Sequence, residues 1–107
     1  MNTRLVAALL RELADALERG EESCLYFIRA QGGPIKIGIA GAPTRRREEL
    51  QPGNHLQLRL VHWVPGGRPA ERLAHDAFAP LRIRGEWFRP EPVLLDFIFT
   101  LIEGEAA

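Results

Sequence analysis

The sequence predicts an α/β (α+β) sandwich, a small three-stranded antiparallel sheet that is flanked by helices and preceded by one extra helix. Two observations predict the sheet: a Gly-Gly turn joins two short apolar runs, and a later run alternates apolar and polar residues. The helices are predicted because a capping residue or a proline opens each of four helical patterns. With 107 residues, of which 46% are hydrophobic, the chain has enough apolar material for one modest core.

The first helix is predicted from Asn2 or Thr3, which can cap it, to about Arg19, where Gly20 ends it. Its apolar residues recur at helical spacing and form a broad stripe made of Leu5, Val6, Leu9, Leu10, Leu13, Ala16 and Leu17. We divide the chain into this N-terminal amphipathic helix, residues 1–22, and a domain over residues 23–103.

Turn residues and alternation predict the three strands. Two glycines, at positions 32 and 33, join the apolar runs 25–28 and 34–40 into an antiparallel hairpin. A third strand is predicted from about Leu56 to Val64, and the residues expected on its buried face are Leu56, Leu58, Leu60 and His62.

Prolines mark the remaining helices, because proline fits the first helical position. These helices are predicted from Pro43 to just before Pro52, from Pro69 to about Phe78, and from Pro90 or Pro92 onward. Residues 85–88, between the last two helices, are predicted to be a short extended piece.

Composition excludes two broad classes of protein. No apolar run approaches the ~20 residues that a membrane span needs. Arg11, Glu12 and Asp15 interrupt the N-terminal apolar segment, and no cleavage site of a signal peptide follows. The single cysteine, Cys24, cannot form an internal disulfide and is expected to be a small buried hydrophobe. We therefore expect a cytoplasmic protein that does not act in a membrane.

The formal net charge is zero, but the charges are unevenly distributed. Residues 1–22 carry net −2, residues 23–90 carry net +6, and residues 91–107 carry net −4. A basic middle between acidic ends indicates that the middle meets an anion. Thirteen of the fourteen basic residues are arginines, the side chain that suits bidentate phosphate contact, although a GC-rich genome also produces this bias.

The predicted hairpin carries polar groups that a strand core does not need. Tyr26 lies in its first run and Lys36 in its second, and the triplet Arg45–Arg47 follows. A phenol, an ammonium and guanidinium groups together suggest a surface that handles phosphate. Each also has a plainer interpretation: a half-buried strand tyrosine, a lysine that alternation points to solvent, and arginines that pair with nearby acids on an exposed helix.

In these residues the chain resembles the GIY-YIG nuclease superfamily. The first motif reads Cys24-Leu25-Tyr26 and the second Lys36-Ile37-Gly38, followed at the family's spacing by Arg46 and, near the start of the next helix, by Glu71. The pattern Glu71-x-x-x-His75-x-x-Phe78 and then Gly85-Glu86-Trp87-Phe88 is similar to a phage and prophage branch of that superfamily. The resemblance covers roughly residues 24–98. Cys24 and Lys36 replace the Gly and the second Tyr of the family's motifs.

The resemblance implies a one-metal phosphodiesterase site. Tyr26 would take a proton from water, and the nearby charge of Lys36 would lower the pKa of the phenol. Arg46 would hold the scissile phosphate. Glu71 would bind one divalent ion, Mg²⁺ or Mn²⁺, with waters in its remaining positions. His75, one helical turn from Glu71, would assist, although a structural histidine and a first-turn acid are the plainer interpretations.

Nucleic-acid contact is assigned to four further arginines, Arg45, Arg47, Arg82 and Arg84. Trp87 and Phe88 are candidates for base stacking, but at least one of them is expected in the core. Glu71 and His75 show metal-ligand spacing, yet one cysteine and three scattered histidines do not favour a closed zinc site. If a second copy or a partner protein binds, we expect it at the N-terminal helix, whose alternative task is to cover the sheet.

The functional prediction is therefore a metal-dependent DNA endonuclease that leaves 3′-hydroxyl and 5′-phosphate ends. Two alternatives remain open. One is a module of the same fold that binds nucleic acid without cutting it. The other is a protein-interaction accessory factor of phage or mobile-element origin, which would show no salt-sensitive affinity for DNA.

Overall fold

A five-stranded antiparallel sheet with helices on both faces forms the framework of the protein. The computed structural model describes residues 2–106, and of residues 105 and 106 it describes the backbone alone. The elements in chain order are α1 (Thr3–Glu18), β1 (Cys24–Ala30), β2 (Ile35–Ala40), α2 (Pro43–Leu50), β3 (Leu58–Pro65), α3 (Arg68–Ala77), β4 (Arg82–Arg84), β5 (Trp87–Phe88) and α4 (Pro92–Ala106). The strand order is β3-β1-β2-β5-β4.

This architecture confirms the α+β class and corrects the predicted number of strands, which is five within the described residues and not three. The predicted extended piece is β5, which pairs with β2. β4 was missed because its three residues, Arg82, Ile83 and Arg84, are all exposed and are too few to show a periodic pattern. The pair adds a short outer hairpin to the sheet, turned at Gly85, whose φ of 55° lies in the left-handed region that suits glycine.

The predicted alternation along the third strand was wrong at His62. Phe27 and Ile28 are adjacent on β1 and point to opposite faces, yet they pair with His62 and Leu60. A bulge at Val61 therefore moves His62 to the face opposite Leu60. The strand also starts at Leu58, two residues later than predicted.

The two faces of the sheet bury different sets of residues. On one face α1, α3 and α4 cover a large core that includes Leu9, Leu25, Phe27, Phe78 and Phe97. On the other face a smaller cluster surrounds Tyr26, with Ile28, Ala30 and Leu58. Of the predicted site residues, Tyr26 lies on this second face, whereas Glu71 and His75 belong to α3, which packs on the first.

Several predicted element starts are confirmed by their caps. The Asn2 side chain accepts hydrogen bonds from the backbone nitrogens of Arg4 and Leu5 at 3.0 and 3.3 Å. Pro43 opens α2, and Gly20, whose φ is 70°, follows the C-cap residue Arg19 of α1. No helix in the described part of the chain is both long enough and apolar enough to cross a membrane.

Candidate functional site

Antiparallel pairing of β1 and β2 brings three site positions onto one face. Tyr26 pairs directly with Gly38, and Ile28 pairs with Lys36, so Tyr26 and Lys36 are diagonal neighbours. Tyr26 is 1% exposed and its ring lies across Gly38. A Cβ at position 38 would lie 2.7 Å from Cζ of the tyrosine. Glycine at this position is what lets the phenol lie flat against β2.

Arg46 reaches this phenol from α2. Its guanidinium lies close enough to the Tyr26 hydroxyl to act on the pKa of that phenol, and its Nη1 lies 3.6 Å from Oε1 of Glu49. The Arg46 side chain remains 43% exposed. It therefore contacts the buried phenol and keeps donors free for a ligand arriving from solvent.

Burial raises the pKa of Tyr26, and the negative charges of Glu86 and Glu71 act in the same direction. The hydrogen bond and the charge of Arg46 oppose that rise without reversing it. The prediction that Lys36 lowers the pKa of Tyr26 is wrong. The cation that acts on the phenol is Arg46, and near neutral pH the phenol is un-ionised.

Lys36 has a different partner. It is 8% exposed, and its Nζ lies 2.7 Å from Oε2 of Glu86 and 5.8 Å from the centre of the Trp87 ring. A buried ammonium requires such a counter-ion, because desolvation penalises an isolated charge heavily. The alternation argument that pointed Lys36 to solvent fails because the β4–β5 hairpin covers this end of β2.

Glu86 in turn meets Glu71 and His75 from α3. One ligand atom from each of Glu71, His75 and Glu86 lies within 4.8 Å of the others, and all three residues are half-buried. The cluster joins the first and last turns of α3, which carry Glu71 and His75, to the turn between β4 and β5. Glu71 and His75 share one helix face because they are four residues apart.

The two carboxyl groups of the cluster share a hydrogen bond and divide their protonation unequally. Burial, then the hydrogen bond and charge of Glu86, raise the pKa of Glu71. Burial also disfavours the ionised form of Glu86, but the hydrogen bond and charge of Lys36 outweigh it, so the pKa of Glu86 is lowered. Lys36 thus keeps Glu86 ionised beside Glu71.

A backbone contact orients His75. Its Nε2 lies 2.8 Å from the carbonyl oxygen of Ile37 on β2, and its ring lies against Phe88 with centroids 5.2 Å apart. A carbonyl oxygen only accepts, so Nε2 carries the hydrogen and Nδ1 holds the lone pair of the neutral ring. Nδ1 is therefore the nitrogen of His75 that has a lone pair for a ligand.

The donor set fits a divalent cation. Two carboxylates supply the oxygen ligands that Mg²⁺ and Mn²⁺ prefer, and half-burial leaves room for waters in the remaining positions. The hydrogen bond from His75 to Ile37 is the kind of support that orients metal-ligating histidines. Glu71, Glu86 and His75 are thus the residues that could hold the ion.

The four arginines that were predicted to contact nucleic acid differ in their exposure to solvent. Arg45 on α2 and Arg84 on β4 are exposed. Arg82 is exposed and lies over the Phe88 ring at 5.4 Å. Arg47 is half-buried, with Nη1 3.4 Å from the carbonyl oxygen of Leu58, so it joins α2 to β3. Phe88 and Trp87 are not free for stacking, since one is buried and the other half-buried.

Sequence reasoning missed Glu86 as a site residue. The residue was noted within the stretch Gly85-Glu86-Trp87-Phe88, but a lone acid in a turn gave no signal of its own. Its position 50 residues after Lys36 hides the ion pair until the sheet is assembled. A lysine between two isoleucines was the available signal, because a buried lysine needs an acid.

The domain is thus an antiparallel sheet with helices on both faces that carries a phenol–guanidinium pair and a carboxylate–imidazole cluster. The chain belongs to the T5orf172 domain family, whose model matches residues 23–102. No curated protein and no solved structure matches the chain. The resemblance to the GIY-YIG superfamily stays a prediction.

Proposed function

We propose that this chain is a GIY-YIG-like, metal-dependent endonuclease that hydrolyses DNA phosphodiester bonds. The observation that carries the proposal is the close approach of two half-sites from distant segments. Tyr26 and Arg46 come from the β1–β2 hairpin and α2, and Glu71 and His75 come from α3. Glu71 lies near enough to act on the pKa of Tyr26. Membership in the T5orf172 family, a phage-type domain, supports a nucleic-acid-related task.

Each residue has a task in hydrolysis. Arg46 binds the scissile phosphate through its free guanidinium donors and neutralises the charge that grows on it. Glu71, Glu86 and His75 would hold the Mg²⁺ or Mn²⁺ ion, which would supply Lewis-acid polarisation of the phosphate. Lys36 does not touch the substrate in this scheme, since it is buried against Glu86.

Tyr26 positions the attacking water and takes its proton. Arg46 donates to the hydroxyl oxygen, so the hydrogen of the neutral phenol is free to orient a water. Proton abstraction requires the ionised phenol, which is scarce at neutral pH because burial raises the pKa of Tyr26. Hydrolysis is therefore expected to be slow at neutral pH and faster in mild alkali.

A nicking assay tests the proposal. Supercoiled plasmid is incubated with Mg²⁺ or Mn²⁺ and with wild type, Glu71→Gln, Tyr26→Phe or the control Asp76→Asn, an exposed acid on the same helix. Wild type and the control should nick, and the other two should not. DNA ligase should seal the nicks directly, because the ends are 3′-hydroxyl and 5′-phosphate. Equal nicking by wild type and Glu71→Gln would contradict the metal site.

A second candidate is a module of this fold that binds nucleic acid and does not cut it. The raised pKa of Tyr26 and the engagement of Lys36 by Glu86 favour it, because neither group is then free for proton transfer at neutral pH. This candidate predicts DNA affinity that survives Glu71→Gln, with no nicking by either protein. We also propose a cytoplasmic location, for which the buried free thiol of Cys24 is the supporting observation.

A further inference from the structure

Two arginines face each other across the β1–β3 pair, on the sheet face opposite Tyr26. Arg29 and Arg59 are direct partners in the antiparallel register, a geometry that holds their Cβ atoms about 4.5–5.5 Å apart. Like charges placed directly opposite destabilise a sheet. Among the described side chains, neither guanidinium forms an ion pair with a carboxylate. Arg29 donates a long hydrogen bond, 3.4 Å from Nε to the carbonyl oxygen of Gly33.

The pair lines two neighbouring depressions. One is a cleft of about 460 Å³ between the β1–β2 turn and the start of β3, where Gln31 and Gln57 also contribute. The other, of about 150 Å³, is bordered by the same two arginines and by apolar residues of α4. Phe99 and Ile102 are among these, and Phe99 is 59% exposed. Among the described side chains this positive charge has no carboxylate partner, and it lies beside an exposed aromatic ring.

We propose that Arg29 and Arg59 form a second anion site that binds a phosphate of a single nucleic-acid strand, with a base of that strand against Phe99. Two guanidinium groups match the oxygens of one phosphate, and the anion removes the repulsion between them. A flat aromatic surface beside a phosphate contact is the arrangement that single-strand binders use. Because β3 lies at the edge of the sheet, a nucleic-acid strand that passes over this edge reaches both faces of the sheet.

This inference rests on the proposed function for the identity of the ligand as nucleic acid. It does not rest on cleavage. The site lies on β1 and β3, whereas the Glu71–His75–Glu86 cluster comes from α3 and the β4–β5 turn. Binding can be measured in chelator, where no metal-dependent hydrolysis occurs.

The test measures binding of a fluorescent oligothymidylate by anisotropy in chelator over a series of salt concentrations. Arg59→Gln should weaken binding about tenfold and reduce the salt slope by about 0.7, the value for one phosphate contact on a single strand. Phe99→Ala should weaken binding and leave the slope unchanged. Arg11→Gln, an exposed arginine on α1, is the matched control and should behave as wild type.

Thermal unfolding distinguishes a phosphate-binding role of Arg59 from a structural role. Without ligand and at low salt, Arg59→Gln should melt no lower than wild type, because the substitution removes a repulsion. Pyrophosphate should stabilise wild type more than Arg59→Gln. A lower melting temperature for the ligand-free variant, or an unchanged salt slope, would overturn the proposal. If pyrophosphate stabilises wild type but the oligonucleotide does not bind, Arg29 and Arg59 bind a free anion. That result would overturn the proposal that they bind a nucleic-acid strand.

The two proposals can fail separately. A protein that binds the oligonucleotide through Arg59 and never nicks plasmid contradicts the nuclease and leaves this site standing. If the protein nicks plasmid and Arg59→Gln binds the oligonucleotide as wild type does, the nuclease proposal stands and the second anion site is contradicted.

Discussion

A buried lysine organises the candidate site at the scale of single residues. Lys36 is held at 2.7 Å by Glu86, and Glu86 hydrogen-bonds Glu71. The lysine therefore acts on the carboxylate cluster and not on the phenol. Where the wider GIY-YIG pattern has a second tyrosine, this chain has an ammonium that keeps one acid of a close carboxyl pair ionised. The ion pair is the most specific local interaction of the site.

Substituting Lys36 alone should lower the free energy of unfolding more than substituting Lys36 and Glu86 together. Lys36→Met leaves the half-buried Glu86 carboxylate beside Glu71 without the ammonium, and we expect a loss of about 1–3 kcal/mol in the free energy of unfolding. Adding Glu86→Gln should restore part of that loss. Urea unfolding of the two single variants and the double variant measures the coupling. Costs that add to within about 0.3 kcal/mol would show that the pair is not coupled.

The pH dependence of nicking reports the role of Tyr26. Since the pKa of the phenol is raised, the ionised fraction grows about tenfold for each pH unit below that pKa. We expect the logarithm of the Mg²⁺-dependent rate to rise with pH at a slope near one between about pH 7 and pH 9. Tyr26→Phe should not nick at any pH in this range. A flat profile in the wild type would exclude the phenol as the base.

Gly38 is required by the ring that lies on it. In Gly38→Ala the new methyl would lie 2.7 Å from Cζ of Tyr26, so the ring must move. We expect a loss of about 1–3 kcal/mol in unfolding free energy, together with a large loss of activity. Gly41→Ala is the control, because a Cβ there meets nothing within 4 Å. Equal effects of the two substitutions would contradict the close contact.

At the scale of elements, the helix α1 is built into the main core. Leu9 is 0% exposed and packs with residues of the sheet and of α3, whereas Leu17 on the same helix is 65% exposed. The chain was divided at residue 22 on sequence grounds, and the family match starts at residue 23. The shared core nevertheless makes α1 a structural requirement for the sheet that carries the site.

Substituting each of the two leucines by alanine should change the free energy of unfolding by different amounts. Leu9→Ala should lower the free energy of unfolding by about 2–5 kcal/mol, since a cavity forms in the core. Leu17→Ala should change it by no more than about 0.5 kcal/mol. Chemical unfolding monitored by circular dichroism gives both values. A small effect of Leu9→Ala would indicate that α1 is dispensable for the fold.

Element starts could be predicted where the signal is local. Asn2 and Pro43 marked helices α1 and α2, and the paired glycines marked the β1–β2 turn. β4 and the bulge at Val61 could not be predicted, because an exposed three-residue strand and a one-residue insertion leave no periodicity to detect. Both depend on pairing partners that lie elsewhere in the chain.

The same limit applies to the site. Tyr26, Arg46, Glu71 and His75 were predicted as one group from spacing and resemblance, and the fold brings them together. The partner of Lys36 was not predicted, because Glu86 lies in a turn 50 residues away. Spacing along one strand or helix can be read from sequence, whereas a contact across the sheet depends on the complete topology.

At the scale of the whole molecule, the sheet joins two half-sites that no single segment contains. The β1–β2 hairpin and α2 supply the phenol and the guanidinium, and α3 with the β4–β5 turn supplies the ligand cluster. The ion pair between Lys36 and Glu86 connects the halves through β2. The proposed chemistry should therefore require the folded domain, and loss of the metal ligands should abolish activity without unfolding it.

Manganese titration tests the central claim most directly. Binding of Mn²⁺ is followed by electron paramagnetic resonance, and plasmid nicking is measured over the same concentrations for wild type, Glu71→Gln and Glu86→Gln. We predict one Mn²⁺ site in the wild type, with binding and nicking that saturate together, and a loss of both in the two variants. Nicking that proceeds in Glu71→Gln, or that saturates where no Mn²⁺ binds, would contradict the proposed metal-dependent phosphodiesterase site.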